Sequence, residues 1–354
     1  MTLLTRRAAL ALSSGALSAG ALLSGRANAA PLDDLIERAR KEGVVNSVGM
    51  PDDWANWAAT WKDVTAKYGL RHVDTDMSSA EELAKFAAEK ANASADIGDV
   101  GFDFCRVAVE RGLAAPYKPT TFAQIPDWAR DADGHWMLAY TGTISFVVAK
   151  DVPNPPKSWA DLLTGTYKIA AGDVGKASQS NAAVLACAIA MGGDETRVDP
   201  AMDLFAKLAK QKRLLTIAAL PANMARGEIQ VGLMWDFNAL NYRDKVGGDR
   251  FNVVIPSDGS VTSGYSTIIN KFAKNPNAAM LVREYIFSDA GQLNLADGYA
   301  RPIRVDHLTL PETARAKLLP AAQYAKARPI NPAAWADGAR RVPALWQEKV
   351  LTEM

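Results

Sequence analysis

The sequence is poor in cysteine and histidine and has no excess of charge of either sign. Two cysteines, Cys105 and Cys187, in 354 residues exclude a disulfide-dense scaffold. Because each lies in an apolar, helix-like stretch, we expect two buried free thiols. The three histidines are scattered, without His-x-x-x-His or Cys-x-x-Cys spacing, so we predict no metal site and no cofactor. A formal net charge of +1 gives no electrostatic surface for nucleic acid, and we predict no nucleic-acid partner.

Long hydrophobic runs are also scarce, and the most pronounced one lies near the N-terminus. Arg6 and Arg7 precede an apolar run from Ala8 to Leu23, and Ala27-Asn28-Ala29 follows as a small-x-small cleavage site. The paired arginines indicate the twin-arginine export route. A membrane anchor needs ~20 strongly apolar residues, whereas this run is shorter and is interrupted by serine and glycine. We therefore predict that residues 1–29 are a cleaved signal peptide and that the product is soluble in the periplasm.

The order of predicted elements indicates two α/β lobes. Residues 30–354 are long enough for two domains of ~150 residues each. In the first part of the chain, amphipathic helical stretches alternate with short strands, the pattern of a parallel sheet covered on both faces. These strands are predicted at Val44–Met50, Leu70–Thr75 and Ala95–Val100. The spacing of Ser79 and Glu82 fits a helical capping box.

A β-rich run over residues 136–150 interrupts this alternation, and a proline-rich segment, Asp151–Pro156, leads into a second cycle of strands and helices. Further strands are predicted at Val253–Pro256 and Tyr265–Asn270. The tail of the chain is predicted to be helical over Pro276–Ser288, Pro311–Lys326 and Pro332–Val350. Two α/β lobes joined by extended segments explain this order better than one large sheet.

Four short motifs occur in order along residues 30–354. They are Gly112 to Tyr117 (G-L-x-x-P-Y), Pro156 to Leu162 (P-x-S-W-x-D-L), Asn275 to Gln292 (N-P-x-A-A … S-x-x-G-Q) and Arg301 to Arg304 (P-x-R). In this order, behind an export signal, they resemble the solute-binding proteins of bacterial ABC importers. The resemblance is to the branch that binds ferric ion, polyamines, thiamine and aminoethylphosphonate, and it spans nearly the whole chain after the signal.

The resemblance implies an α/β, two-lobed, periplasmic-binding-protein-like fold of type II, with two crossovers and a ligand cleft between the lobes. Residues 30–141 and 267–354 would form the first lobe and residues 142–266 the second, with crossovers near Tyr140–Ile144 and Ser263–Thr267. The resemblance also implies a monomer without catalytic activity. It would bind a small-molecule ligand and deliver it to an inner-membrane ABC permease and its ATPase.

Candidate ligand contacts lie at the ends of strands and the starts of helices, where open α/β sheets bind ligands. After the first strand, Asp52 could pair with a cationic group and the Trp54 ring could pack on it. The competing interpretations are helix capping for the acidic residues of this turn and a core position for Trp54. Ser78 and Ser79, with the amides of a helix N-terminus, suit an anionic or carbonyl group, or they simply cap the helix.

The segment Gly175–Asn181 lies between a strand and a helix and contains Ser178, Ser180 and Asn181. A phosphate-binding loop would need a glycine where the chain has Ala170 and a serine or threonine where it has Ala177. A turn rich in hydroxyl and amide groups nevertheless suits a carboxylate, phosphonate or phosphate. Helix capping is the alternative.

Aromatic and acidic residues complete the candidate site. Trp235 and Asp236 directly follow an apolar strand and could form half of an ammonium cage; the alternative is a structural tryptophan beside a loop carboxylate. Tyr140 and Thr141 at the first crossover, and Tyr265 at the second, could reach into the cleft. All these candidates together predict a small polar ligand that bears an amine, an acidic group or both, such as a polyamine or an aminophosphonate.

Three other functions compete with this one. A secreted hydrolase or transferase on the same fold would need a catalytic motif, and the sequence has no Gly-x-Ser-x-Gly, His-Glu-x-x-His or dinucleotide-binding glycine pattern. Ferric-ion binders of this branch use adjacent tyrosines, and no Tyr-Tyr pair occurs in the chain. A periplasmic sensor for a signalling partner would have the same fold, and the sequence leaves it open.

Overall fold

The computed structural model describes residues 24–354 and alternates helices with strands as the sequence predicts over most of the chain. The α-helices are α1 (Ser24–Glu42), α2 (Trp57–Tyr68), α3 (Ser79–Glu89), α4 (Phe102–Glu110), α5 (Ser178–Ala190), α6 (Asp199–Lys210), α7 (Pro221–Ala225), α8 (Asp236–Lys245), α9 (Pro276–Phe287), α10 (Asp289–Asp297), α11 (Glu312–Arg315) and α12 (Pro332–Lys349). The β-strands are β1 (Val44–Val48), β2 (Arg71–Thr75), β3 (Ile97–Gly101), β4 (Leu138–Ala149), β5 (Ile169–Ala170), β6 (Leu214–Leu215), β7 (Val231–Trp235), β8 (Phe251–Val254), β9 (Ser260–Ile269), β10 (Arg301–Pro302) and β11 (Ala327–Pro329).

Two sheets share the long strand β4. In the first sheet, β1 lies between β2 and β3 and runs parallel to both, while β9 pairs antiparallel with β3. In the second sheet, β5 lies between β6 and β7 and runs parallel to both, while β7 and β8 pair antiparallel with β4. We refer to the elements around these sheets as the first lobe and the second lobe. The predicted two-lobed α/β fold is confirmed.

The two predicted crossovers lie side by side in the structure. β4 and β9 form an antiparallel pair in which Tyr140 lies opposite Tyr265 and Thr143 lies opposite Thr262. β4 pairs with β9 up to Thr143 and then with β7 from Ile144 onwards. One long strand therefore passes from the first lobe into the second, and β9 leads back beside it.

The C-terminal helix contacts the second lobe, although the sequence assigns its residues to the first. The Trp346 ring packs edge-on against Phe205 of α6, with ring centroids 5.2 Å apart. Lys349 Nζ lies 2.6 Å from the Asp199 carboxylate at the start of the same helix. The predicted lobe boundaries stay a proposal, and these contacts place α12 beside α6.

One element of the tail differs from the prediction. The prediction of one continuous helix over Pro311–Lys326 is wrong, because the structure has the short helix α11 and then a single 3-10 turn, Ala321–Tyr324, before β11. Pro320 explains the break, since proline provides no backbone N–H and disfavours helical geometry at the residue before it.

The cysteine prediction is confirmed, since Cys105 and Cys187 are both buried and free. The two arginines and the apolar run of the predicted signal peptide lie outside the described residues, and the predicted cleavage site after Ala29 falls within α1. Among residues 24–354, no helix is both long and apolar enough to cross a membrane.

Candidate functional site

A cavity of about 290 Å³ lies between the two lobes. It is formed at the carboxyl ends of parallel strands from both sheets, which is where open α/β sheets bind ligands. Its lining residues are Gly49, Pro51, Trp54, Asp76, Met77, Ser78, Ser79, Glu82 and Asp99 from the first lobe, Gly172, Asp173, Ala177, Ser178, Gln179, Ser180, Ala218, Ala219, Leu220, Leu233 and Tyr242 from the second, and Tyr265 from β9.

The first lobe presents the N-terminus of α3 to the cavity. Ser78 is the N-cap, and the Glu81 carboxylate accepts its backbone N–H at 2.9 Å and its hydroxyl at 2.7 Å. The capping box predicted at Ser79 and Glu82 is therefore wrong by one residue, because the helix starts one residue earlier. Ser79 Oγ accepts the backbone N–H of Gly101 at 3.0 Å and keeps its own proton free to donate.

Helix α5 of the second lobe begins at the cavity without a capping side chain. Its N-cap is Ala177, with the extended backbone (φ −90°, ψ 127°) typical of that position. The first backbone N–H groups of the helix have no acceptor within the helix, and they carry the positive end of its dipole. Ser180 is 2% exposed and lines the cavity. Gly172 makes room for it, because a Cβ there would lie 2.3 Å from Ser180 Oγ.

Ser178 joins the two lobes. Its hydroxyl donates to Oδ1 of Asp103, in the first turn of α4, at 2.5 Å. Gly101 allows this approach, because a Cβ at that position would lie 2.0 Å from Ser178 Oγ. Ser178 lines the cavity as predicted, but its proton is held by Asp103.

Aromatic rings form one wall of the cavity, beside the crossover strands. Tyr140 and Tyr265 stack with ring centroids 5.7 Å apart, and Trp54 meets Tyr265 edge-on at 5.2 Å. Trp54 Nε1 donates to the Tyr140 hydroxyl at 2.6 Å, and Trp235 Nε1 donates to the Tyr265 hydroxyl at 3.2 Å. The hydrogen bonds fix the rings and leave Trp54 and Tyr265 facing the cavity.

Two buried carboxyl groups, Glu82 and Asp99, also line the cavity. Asp99 Oδ2 accepts the Tyr140 hydroxyl at 2.6 Å, and Glu82 Oε2 accepts the Asp99 backbone N–H at 3.0 Å. Burial raises the pKa of Asp99 to about 8, an effect that the hydrogen bond from Tyr140 reduces. Burial, followed by the proximity of Asp99, raises the pKa of Glu82 well above its usual value.

The cavity brings together six of the twelve residues predicted from the sequence. Trp54, Ser78, Ser79, Ser178, Ser180 and Tyr265 all line it. They come from both lobes and from one crossover strand, as the predicted cleft requires. Whether they bind a ligand stays a prediction.

Three of the other six residues lie near the cavity without lining it. Asp52 is exposed to solvent on the loop after β1. Tyr140 and Trp235 are fully buried and form hydrogen bonds with Trp54 and Tyr265, which line the cavity.

The remaining three predicted residues serve other parts of the fold. Asn181 is buried, and its side chain accepts the Gly175 backbone N–H at 2.8 Å, which shapes the turn before α5. Thr141 and Asp236 line a different cavity of about 440 Å³. Asp236 accepts the Thr143 N–H at 2.8 Å and the Tyr324 hydroxyl at 2.7 Å, and burial raises its pKa to about 6.

Sequence reasoning missed the acidic lining of the cavity. Asp76, Glu82, Asp99 and Asp173 all reach it. Asp99 carried a usable signal, because it is a lone carboxyl in the fully buried strand β3, where an unpaired charge is costly. The sequence assigns Glu82 to the capping box, and that role explains a carboxylate at this position without a ligand.

Metal-ligand geometry occurs outside the cavity. Within the described range, Asp131, Asp133 and His135 bring one potential ligand atom each within 4.8 Å of one another. Asp131 Oδ2 accepts the backbone N–H groups of Asp133 and His135, as in an ordinary surface turn.

Comparison with known proteins gives a consistent result. A sequence model of the family described as bacterial extracellular solute-binding protein matches residues 92–333. An uncharacterized protein of Haemophilus influenzae is 29% identical over 251 residues, which cover 66% of this chain and 70% of that protein.

Solved structures show the same fold at low sequence identity. The periplasmic binding protein AfuA from Actinobacillus pleuropneumoniae, with fructose-6-phosphate bound, has a TM-score of 0.72 at 20% identity, covering 87% of this chain and 98% of its own. The structure described as the Atu4243-GABA receptor has a TM-score of 0.65 at 18% identity, covering 88% and 97%. The fold is therefore that of the type II periplasmic binding proteins.

Proposed function

The chain belongs to the bacterial extracellular solute-binding proteins, and on that premise we propose that it captures a small organic ligand bearing both an acidic group and an amine. The ligand would be held between the two lobes and delivered to an ABC permease in the inner membrane. The protein acts by binding alone, and closure of the lobes on the ligand supplies the signal for delivery.

The acidic group of the ligand fits the two helix N-termini. α3 and α5 begin at the cavity from opposite lobes, and the α5 N-terminus has no capping side chain. Uncapped backbone N–H groups and the positive ends of the dipoles favour a carboxylate, phosphonate or phosphate. Hydroxyl groups of Ser79 and Ser180 supply further donors.

The amine fits the acidic and aromatic part of the cavity. Four carboxyl groups line it, and its described lining contains no lysine, arginine or histidine. This imbalance is the observation that carries the proposal. Among the described residues, Asp173 pairs with Lys176 and the other three carboxyl groups have no basic partner. A purely anionic ligand would therefore meet three carboxyl groups without a compensating cation, whereas an ammonium group pairs with a carboxylate and packs on aromatic rings.

The names of two structural relatives fit parts of this ligand class, while others are described as ferric-ion-binding proteins. AfuA is described with fructose-6-phosphate, which carries an anionic group, and another relative is described as a receptor for GABA, which carries a carboxylate and an amine. A zwitterion of this size also suits a cavity of about 290 Å³.

A thermal-shift and calorimetry panel tests the proposal. We expect 2-aminoethylphosphonate, phosphoethanolamine or γ-aminobutyrate to raise the melting temperature by mass action and to be recovered unchanged. Ethylphosphonate, which lacks the amine, and putrescine, which lacks the acid, are the matched controls. Equal binding of ethylphosphonate and 2-aminoethylphosphonate would exclude a role for the amine, and binding of Fe³⁺ alone would favour the ferric alternative.

We further propose that the protein reaches the periplasm by the twin-arginine route. Arg6 and Arg7 precede the apolar run, and the predicted cleavage follows Ala29. N-terminal sequencing of the exported protein should begin at Ala30, and the double change Arg6→Lys and Arg7→Lys should block export. Arg26→Lys, in the same segment, is the control. Export unaffected by the double change would point to the general secretory route.

A further inference from the structure

The Glu82 carboxyl group lies in a slot formed by two glycines at the floor of the cavity. A Cβ at Gly49 would lie 2.2 Å from Glu82 Oε1, and a Cβ at Gly98 would lie 2.3 Å from Oε2. Gly49 also has a positive φ of 67°, which other residues rarely adopt. A side chain at either position would clash with the Glu82 carboxyl group, so both glycines are needed for this group to lie beside Asp99.

The surroundings of the Glu82 and Asp99 carboxyl groups are acidic or neutral. Neither forms an ion pair with any basic residue in the described part of the chain. The titratable groups that face them are Asp74 and Asp76 from β2 and its following loop, Cys105 from α4, Tyr140 from β4 and Tyr265 from β9. Two buried, adjacent carboxyl groups without a counter-ion keep their protons in the empty protein.

We propose that Glu82 and Asp99 recognise the ammonium group of the ligand and release one proton to solvent when it binds. This inference rests on the proposed function, because it requires an amine on the ligand. The ligand arrives as R–NH₃⁺ and stays protonated. One carboxylic acid of the pair becomes a carboxylate, so the buried site exchanges a proton for an ammonium cation and its net charge does not change.

Proton release makes affinity depend on pH in a definite direction. A group with a raised pKa binds a proton in the empty site at neutral pH and must lose it to pair with the ammonium group. Raising the pH therefore favours binding, by up to about tenfold per pH unit while one proton is released. The gain ends near pH 8, where burial places the pKa of Asp99.

Calorimetry in two buffers of different ionisation enthalpy counts the protons released. The probes are 2-aminoethylphosphonate and ethylphosphonate, which share the phosphonate group, so the difference between them isolates the amine. We expect 2-aminoethylphosphonate to release about one proton more at pH 7. Glu82→Gln and Asp99→Asn imitate the protonated acids, and each should weaken binding at least tenfold and abolish the extra release.

Glu81→Gln is the matched control, because Glu81 is the exposed neighbour of Glu82 and glutamine preserves the capping box. If 2-aminoethylphosphonate binds without extra proton release and both amide variants keep wild-type affinity, the inference is wrong and the proposed function stands. If ethylphosphonate binds as tightly as its amine counterpart, the amine half of the proposed function fails and the inference fails with it. If a variant does not fold, the number of protons that the wild-type protein releases on binding 2-aminoethylphosphonate still tests the inference.

Discussion

At the scale of single residues, Ser178 and Ser180 are two positions apart yet have different surroundings. Ser178 donates its hydroxyl proton to Asp103 across the lobes. Ser180 lies against Gly172 and faces the cavity. Two serines in the first turn of one helix therefore have different roles: Ser178 connects the lobes, and we propose that Ser180 offers a donor to the ligand.

Substitution of each serine by alanine should separate these roles. Ser180→Ala should weaken ligand binding by ~1–3 kcal/mol, the usual loss of a hydrogen bond to a charged group, with little change in melting temperature. Ser178→Ala should weaken binding and also lower the melting temperature, because Asp103 loses its donor. Calorimetry and thermal unfolding measure both effects, with exposed Ser257→Ala as control. Wild-type affinity in both variants would leave the turn with a structural role only.

Several residue positions could be predicted from the sequence and others could not. Ser180 was found because a strand-to-helix turn locates it. The predicted position of Thr141 in the same cleft as Tyr140 conflicts with strand geometry, because neighbours on a strand point to opposite faces, and Thr141 lines a different cavity. The position of Asp236 could not be predicted, because it depends on how β7 pairs with β4 and on the Tyr324 hydroxyl, and these residues are far apart in the chain.

At the scale of elements, helix α5 has no side-chain cap at its N-terminus. It is buried on nearly every side, which stabilises it by packing, so it does not depend on a cap. Its alanine N-cap leaves the first N–H groups available. The sequence could predict this helix and its position after a strand. It could not predict that its uncapped N-terminus lies at the same cavity as the N-terminus of α3 from the other lobe.

A capping side chain at α5 should stabilise the protein and impair its function. Ala177 already has the backbone geometry of an N-cap, so Ala177→Asp should stabilise the helix by ~0.5–2 kcal/mol. The new carboxylate would occupy the free N–H groups and repel an acidic ligand, so affinity should fall at least tenfold. Thermal unfolding measures the expected gain in stability, and calorimetry measures the expected loss of affinity. Ala177→Gly, which adds no acceptor, is the control. Unchanged affinity in the aspartate variant would mean that the acidic group of the ligand does not bind at the N-terminus of this helix.

At the scale of the whole molecule, the lobes are joined by the β4–β9 pair, and side-chain contacts on both sides of the cleft connect them further. Asn241 of α8 donates to the Asp53 carbonyl oxygen at 2.7 Å, and Lys245 pairs with the Asp53 carboxylate. The Ser178–Asp103 hydrogen bond adds a contact nearer the crossovers. Each of these contacts involves a side chain that can let go and re-form, as lobes that open and close as rigid bodies require.

A methyl group between the lobes should oppose closure. Gly101 has φ −62° and ψ 155°, which alanine adopts readily, but its Cβ would lie 2.0 Å from Ser178 Oγ. Small-angle scattering should show that saturating ligand reduces the radius of gyration of the wild type and reduces it less in Gly101→Ala, which should also bind more weakly. Gly248→Ala, whose added methyl meets its nearest atom at 3.5 Å, is the control. An unchanged radius in the wild type would contradict closure.

The pairing of β4 with β9 also sets an order of events during synthesis on the ribosome. β4 is complete at Ala149, but its partner begins at Ser260, and the helices α5 to α8 are made in between. The second lobe can therefore assemble while β3 still presents an open edge, and the first sheet closes only after Ile269 has emerged. In a protein that we propose to be exported already folded, β3 thus gains its partner strand only after all strands of the second sheet have been made.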